Sequence, residues 1–145
     1  MTGLLADGIS VGTHAAANSA SYTYDYLALQ AVEGAITHGK YTGTGAAQDI
    51  AASMDMSEGT FLLVKASSQT TPTHAVMATS EMVNTDAIKG LRLSTAAAET
   101  DAVLSMTPFG FSIGAAPSVN ESGKTYYWIA LKAGSYNVAP SRALA

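Results

Sequence analysis

The chain has 145 residues, which is the size of one domain and enough to bury a hydrophobic core. Charged residues make up only 12%, and 58 residues are alanine, serine or threonine, so the surface suits burial in an assembly. The net charge of −4 argues against a partner bound through nucleic-acid phosphates. The absence of cysteine excludes disulfides and thiolate zinc sites, and no apolar stretch approaches the roughly 20 residues of a membrane span.

The first 20 residues are predicted to form an extended N-terminal arm. They contain three glycines and show no regular period, which is typical of a segment that another molecule must hold in place. Leu4, Leu5, Ile9 and Val11 supply the arm with apolar side chains that can dock on a neighbouring subunit. The alternative is a free tail.

Residues 21–33 alternate with a period of two, which predicts the first strand of the domain. Tyr22, Tyr24 and Tyr26 then lie on one face of that strand. Because tyrosine combines a large contact area with a polar hydroxyl, we interpret this face as an interface stripe. The second half of the segment, over 27–36, could form a short helix instead.

Further strands are predicted from alternation or from short β-rich apolar runs between turns. They lie at 41–44, 48–56, 60–67, 75–82, 91–97, 98–106, 108–114 and 125–134. This number and spacing of strands is typical of a mainly β protein. We predict an antiparallel β-sandwich or jelly-roll-like domain over residues 21–134, followed by a C-terminal tail over residues 135–145.

Two of these runs carry more detailed expectations. The run 60–67 is expected to be a central strand, because it is apolar almost throughout. The run 125–134 should place Tyr126 and Trp128 on one face, with Trp128 in the core. Asn120 and Gly123 predict a tight hairpin between the strands of Phe111 and Trp128.

Residues that could bind a metal or a phosphate form no motif. His14, His38 and His74 stand far apart in the sequence and have no carboxylate at ligand spacing. The string GTGAAQ at 43–48 lacks the Lys-Ser/Thr of a phosphate loop, and we interpret it as a tight turn. We therefore expect no metal site and no cofactor.

Two pairs of neighbouring acids are the remaining candidates for catalysis. They are Asp55 with Glu58 and Glu99 with Asp101. A glycosidase needs two carboxyl groups that face each other across a cleft, and solvated acids in loops explain both pairs more simply. No nucleophile motif is present, so we predict no catalytic residue and no enzyme activity.

Five sequence strings follow one another in the order of a known module. They read Tyr41-Thr-Gly43-Thr-Gly45, Phe61-Leu-Leu-Val64-Lys65, Leu91-Arg-Leu93-Ser-Thr95, Gly110-Phe111-Ser-Ile113-Gly114 and Val119-Asn120-Glu-Ser-Gly123-Lys-Thr125-Tyr126-Tyr127-Trp128. This order resembles a β-rich module that recurs in tailed-bacteriophage virion proteins, and the resemblance covers about residues 40–132. The matched residues are those of strands and turns, so the resemblance implies a structural role and carries over no catalytic residue.

The resemblance, the low charge and the arm together predict a structural virion protein. We expect a capsid decoration (cement) protein that binds the outer shell through its N-terminal arm and associates with itself as a homo-oligomer, for which we expect a trimer. Its partner would be the major capsid protein or another virion protein, with neither nucleic acid nor membrane as a partner. The alternatives are a tail or fibre component, or a carbohydrate-binding module for host recognition with Tyr126 or Tyr136 on an exposed platform.

Overall fold

The described residues form eleven strands and two short helices. The structure is a computed structural model, and it describes residues 3–5, 8–13, 18–24, 27–67, 74–85, 89–93 and 98–134. The strands are β1 Gly3–Leu5, β2 Gly8–Ser10, β3 Ile36–Thr42, β4 Gln48–Ala51, β5 Thr60–Ala66, β6 Val76–Thr79, β7 Gly90–Arg92, β8 Ala98–Glu99, β9 Val103–Thr107, β10 Gly110–Ile113 and β11 Thr125–Lys132. The helices are α1 Ser80–Thr85 and α2 Pro117–Asn120.

The strands build two antiparallel sheets and a separate N-terminal hairpin. The large sheet has the order β3-β11-β5-β6-β7-β8, the small sheet has the order β4-β10-β9, and β1 pairs with β2. The mainly β, antiparallel sandwich that the sequence predicts is confirmed. Its described strands begin at Ile36 and end at Lys132. The predicted C-terminal tail, 135–145, lies outside the described residues.

The core is built from the facing sides of the two sheets. In β11, which pairs with β3 and β5, Tyr126, Trp128 and Ala130 are buried on one face, as the sequence predicts. Phe111 of the small sheet meets Trp128 edge-on, with ring centroids 5.4 Å apart. This aromatic contact joins the two sheets, because β10 and β11 belong to different sheets. The predicted hairpin between these two strands is therefore wrong.

The alternation predicted over 48–56 is present in the burial of the side chains, although β4 itself is short. Ile50, Met54 and Met56 are buried, and the residues between them are exposed or partly exposed. Beyond β4 the backbone N–H of Met56 donates to the carbonyl of Thr107 at 3.0 Å. The chain thus stays attached to the small sheet after the regular ladder ends, and the apolar side chains continue to reach the core.

Asn120, the last residue of α2, makes four side-chain hydrogen bonds in the interior. Its Oδ1 accepts from the backbone N–H of Thr44 at 2.8 Å and from Nε2 of Gln48 at 2.9 Å. Its Nδ2 donates to the carbonyl oxygens of Ala46 and Gly114, each at 2.6 Å. The side chain is fully buried, and both of its amide hydrogens and its carbonyl oxygen are used. One residue thus ties α2 to the turn after β3 and to the end of β10.

Two stacked tyrosines hold the same helix from the large sheet. The rings of Tyr41 and Tyr126 lie 5.3 Å apart and nearly parallel. The Tyr41 hydroxyl donates to the carbonyl of Val119 at 2.6 Å, and the Tyr126 hydroxyl donates to that of Pro117 at 2.7 Å. Burial raises the pKa of both hydroxyls, so they remain protonated donors at neutral pH. We call Tyr41, Asn120 and Tyr126 with their partners the α2 clasp.

The glycine at position 43 is required by the α2 clasp. Gly43 is buried, and a side chain there would collide with the carbonyl oxygen of Glu121. Its own carbonyl accepts from the N–H of Gly123 at 2.9 Å. Residues from the first and last of the five sequence strings therefore meet in one cluster, where they hold the fold together.

The predicted strand over residues 21–33 is wrong, and so is the alternative of a helix over 27–36. Residues 18–24 and 27–31 form turns and irregular chain that is mostly exposed. A strand needs a neighbour for its backbone hydrogen bonds, and none of the described strands pairs with this segment. Only Val32 reaches the sheet, by a bridge to Ile36.

Other strand boundaries also differ from the predictions. Of the residues predicted to start a strand at 41–44, Tyr41 and Thr42 form the end of β3 and the other two lie in the turn after it. The strand predicted at 75–82 turns into α1 at Ser80. The Thr79 hydroxyl accepts from the backbone N–H of Met82 at 3.2 Å, which caps the first turn of that helix. In the described part of 91–106, three short strands, β7, β8 and β9, replace the two predicted ones.

Replacing Asn120 by alanine should destabilise the protein by roughly 2–4 kcal/mol, because the buried carbonyl of Gly114 loses its donor and other clasp partners are left unpaired. Urea unfolding followed by the fluorescence of Trp128, the single tryptophan, measures the change. Asn84→Ala is the matched control. Asn84 also bridges backbone groups, at Met106, but it is exposed, so water can replace it and the cost should be about 1 kcal/mol or less. Equal losses for the two variants would contradict the role given to Asn120.

Candidate functional site

The N-terminal arm contains a two-stranded hairpin. Leu4 and Leu5 belong to β1, Ile9 belongs to β2, and Leu4 lies opposite Ile9 in the register. Val11 follows the hairpin, and its side chain is exposed. The structure thus brings two of the four predicted apolar arm residues side by side, through a pairing that the sequence analysis did not anticipate.

The predicted tyrosine stripe is replaced by an irregular segment with exposed side chains. Tyr22 is 73% exposed and Tyr24 is 41% exposed, while Tyr26 lies outside the described residues. The hydroxyl of Tyr24 accepts from the backbone N–H of Ser19 at 3.1 Å, which holds a local loop. These tyrosines are accessible for contacts, but they do not share the strand face that was predicted.

Further large apolar side chains are exposed before β3. Leu27 is 82% exposed, and Leu29 and Val32 are also exposed. We call the described residues 18–24 and 27–32 the linking segment, since it leads from the arm to β3. Its apolar side chains are a surface feature that the sequence analysis missed, because it placed them within a strand.

The outer face of the large sheet is the second apolar surface. On β11, Tyr127, Ile129 and Leu131 alternate with the buried residues and so point away from the core. Ile129 lies opposite Leu63 of β5, and Leu131 lies opposite Phe61. We call this surface the outer sheet face, and its members on the central strands are Phe61, Leu63, Met77, Tyr127, Ile129 and Leu131. A shallow hollow of about 200 Å³ opens beside Leu63, Tyr127 and Ile129.

A larger hollow of about 360 Å³ lies on the small sheet, between β4 and β10. Phe109 lines it and is 82% exposed, because it lies in the turn between β9 and β10 and not in a strand, as predicted for 108–114. The Thr107 hydroxyl accepts from the N–H of Phe109 at 3.2 Å and fixes the turn that projects it. Ser112 and Asp49, whose side chains are hydrogen-bonded to each other, line the hollow. An aromatic ring, a carboxylate and hydroxyls therefore meet on one surface, which we call the Phe109 hollow.

Asp55, Glu99 and Asp101, three of the four acids singled out from the sequence, are engaged in structural contacts. The Asp55 carboxylate accepts from the side chain and the N–H of Ser57 and lies 3.2 Å from Nζ of Lys132. These contacts, the Ser57 hydrogen bonds first, lower the pKa of Asp55 to about 2. The loop after β4 is thereby joined to the end of β11.

The second pair of acids is separated by its partners. Glu99 forms an ion pair with Arg92, which closes the edge of the large sheet. The Asp101 carboxylate accepts from the N–H of Ala115 at 2.9 Å, at the entry to α2. The two carboxylates thus brace different parts of the fold.

The histidines lie in unrelated places. His38 is exposed on β3, His74 precedes β6, and His14 lies outside the described residues. In the part of the chain that the structure describes, no three histidine or acidic side chains are grouped so as to hold a metal ion. Within the same residues, neither helix is long and apolar enough to cross a bilayer.

The comparisons with known proteins give no match. No protein-family model, curated protein or solved structure is similar to this chain. Three surfaces of the described residues are therefore the candidates for binding another molecule: the linking segment with the arm, the outer sheet face and the Phe109 hollow.

Proposed function

We propose that the chain is a structural protein of a tailed-bacteriophage virion that decorates the outside of the capsid. The observation that carries this proposal is a well-packed β-sandwich preceded by a segment whose large apolar side chains are exposed, among them Val11, Tyr22 and Leu27. A cement protein needs such a segment, because it must reach beyond its own body to bridge neighbouring shell subunits. The resemblance of residues 40–132 to the virion module supports the same class.

Self-association is the second part of the proposal. Each contact made by a short apolar arm is weak, and a trimer or another closed oligomer would bind through several arms at once. The low share of charged residues is compatible with surfaces that are covered in such an assembly. The partner would be the major capsid protein or another virion protein, and the location would be the virion.

Changing the arm should abolish binding to capsids while the fold is kept. Two variants are compared with the unaltered protein: the double substitution Ile9→Asp/Val11→Asp and a chain that lacks residues 1–20. The amount of each that cosediments with capsids lacking this protein should be roughly tenfold lower. We expect both variants to keep the fold, because the strands of the sandwich begin at Ile36. Circular dichroism and thermal unfolding verify that point before the binding assay is scored.

Phe109→Asp is the matched control for this experiment, since Phe109 is also an exposed apolar residue but lies in the turn between β9 and β10 of the small sheet, far along the chain from the arm. It should bind capsids like the unaltered chain. Binding retained by both arm variants would contradict the arm as the point of attachment. Binding of the unaltered chain to isolated tails or fibres but not to heads would favour the tail or fibre alternative.

Carbohydrate binding is a second candidate function, and the Phe109 hollow is the observation that favours it. An exposed aromatic ring can stack on the C–H face of a sugar, while Asp49 and Ser112 can bind its hydroxyl groups. The platform considered from the sequence used other residues. Tyr126 is fully buried and cannot serve, and Tyr136 lies outside the described residues.

A glycan array tests this second candidate. If the chain binds a saccharide at the Phe109 hollow, Phe109→Ala should weaken binding roughly five- to tenfold, because the stacking ring is lost. Tyr127→Ala is the control, since it removes an exposed aromatic ring from the other sheet. The absence of binding to every glycan, or an equal effect of the two variants, would contradict a sugar site in the hollow.

A further inference from the structure

We infer that the outer sheet face is the surface through which copies of this chain associate, and that the linking segment of a second copy covers it. The inference rests on the self-association in the proposed function, but it does not depend on a capsid as the target. It assigns a surface and an occupant to that association.

The outer sheet face is apolar where a two-layer sandwich normally presents polar side chains to water. Antiparallel strands with one solvated face alternate between apolar and polar residues, whereas strands covered on both faces are apolar throughout. The middle parts of β5 and β11, over 61–64 and 126–131, are of the second kind. Leu63 lies between Ile129 on one side and Met77 on the other, so the apolar row crosses three strands. The small sheet covers the inner side of these strands, and a further layer would bury the side chains of the outer side, which are half-buried apart from the exposed Tyr127.

The linking segment provides apolar side chains of the kind that this layer needs. Tyr22, Leu27, Leu29 and Val32 are all exposed, so the same chain carries exposed apolar side chains and an apolar sheet face that is partly open to solvent. In extended form, residues 18–32 span roughly 45–50 Å at about 3.3 Å per residue. The six strands of the large sheet span roughly 25–30 Å at about 4.8 Å between neighbours. The segment is therefore long enough to cross the whole face.

The direction of the chain before β3 favours a second copy as the owner of that segment. Val32 bridges Ile36 at the edge of β3 that faces away from β11. At this point the segment lies beside the sheet, in its plane, and does not lie over its outer face. Covering the face of its own sheet would require the chain to turn back over β3, whereas a second copy placed beside β3 would lie in the direction that the segment takes at Val32.

The charges of the two surfaces are complementary. The first 35 residues contain Asp7, Asp25 and Glu33 and no lysine or arginine. On the sheet, Tyr127 lies opposite Lys40 on one side and opposite Lys65 on the other, so two basic residues flank the apolar row. Of these acids, Asp25 falls within the span 18–32 and Glu33 directly follows it, so a weakly acidic, apolar segment would meet an apolar face with a basic border. This complementarity favours the pairing over two identical faces in contact.

Disulfide trapping between differently tagged copies tests the inference. Because the chain contains no cysteine of its own, every disulfide that forms must join two introduced cysteines. Leu27→Cys in one copy and Tyr127→Cys in the other introduce thiols at exposed positions of the two surfaces. We expect the mixed dimer to form faster than either homodimer when the two proteins are oxidised together. Phe109→Cys replaces Tyr127→Cys in the control, and it should give no such preference, because it lies on the small sheet.

The alternative occupants give different products. A double variant Leu27→Cys/Tyr127→Cys that forms only an intramolecular bond would show that the segment covers its own sheet. Homodimers of Tyr127→Cys as the main product would show two faces in contact. Either result would overturn the inference.

Sedimentation of cysteine-free variants provides an independent readout. Tyr127→Glu should weaken self-association roughly tenfold or more, whereas Phe109→Glu should leave it unchanged. A monomeric unaltered chain would overturn the inference. If that monomer still bound capsids, the capsid-decoration part of the proposed function would stand and its self-association part would be contradicted. If the linking segment of one copy covers the sheet of another but the oligomer does not bind capsids, the inference would be supported and the capsid would be contradicted as the target.

Discussion

The fold depends on the satisfaction of one buried amide, that of Asn120. An uncharged polar side chain in the interior is stable only if its donors and acceptors are paired, and here all of them are used. Its partners come from the turn after β3 and from the end of β10, so the amide joins the large sheet to the small one. Tyr41 and Tyr126 reach the same helix from the large sheet and complete the attachment. The α2 clasp thus holds the two sheets in the arrangement in which their facing sides pack as one core.

The residues of the α2 clasp make hydrogen bonds within the fold, so the surfaces of the molecule are the candidates for binding other molecules. Acidic residues that could suggest catalysis, such as Asp55 and Glu99, are engaged with Ser57, Lys132 and Arg92. Several large apolar or aromatic side chains are exposed: Val11 of the arm, those of the linking segment, Tyr127 on the outer sheet face and Phe109 at the hollow. Surfaces of this kind are suited to contacts with other molecules. The polar groups of the interior are used in structural contacts, and exposed apolar side chains are available for contacts with other molecules. These two observations are the basis for proposing a structural role in an assembly.

Local patterns predict the central strands, and contacts between distant residues account for what the sequence does not predict. The runs 60–67 and 125–134 are β-rich and apolar, and they form β5 and β11 where expected. Residues 21–33 have the period of a strand but no pairing partner, and a period alone cannot supply one. The clasp joins Asn120 to residues more than 70 positions away, so no local pattern indicates it. The start of α1 did carry a signal, since Thr79 precedes Ser-Glu and caps the helix.

Immunogold electron microscopy of virus particles, purified from the organism that carries the gene, tests the central claim most directly. An antibody against this chain should label the heads at regular intervals, because a decoration protein occupies repeated positions on the outer shell. Labelling confined to tails or fibres would move the protein to another part of the virion. The absence of label from every particle, with the chain detected free in the same lysate, would contradict a structural role in the virion.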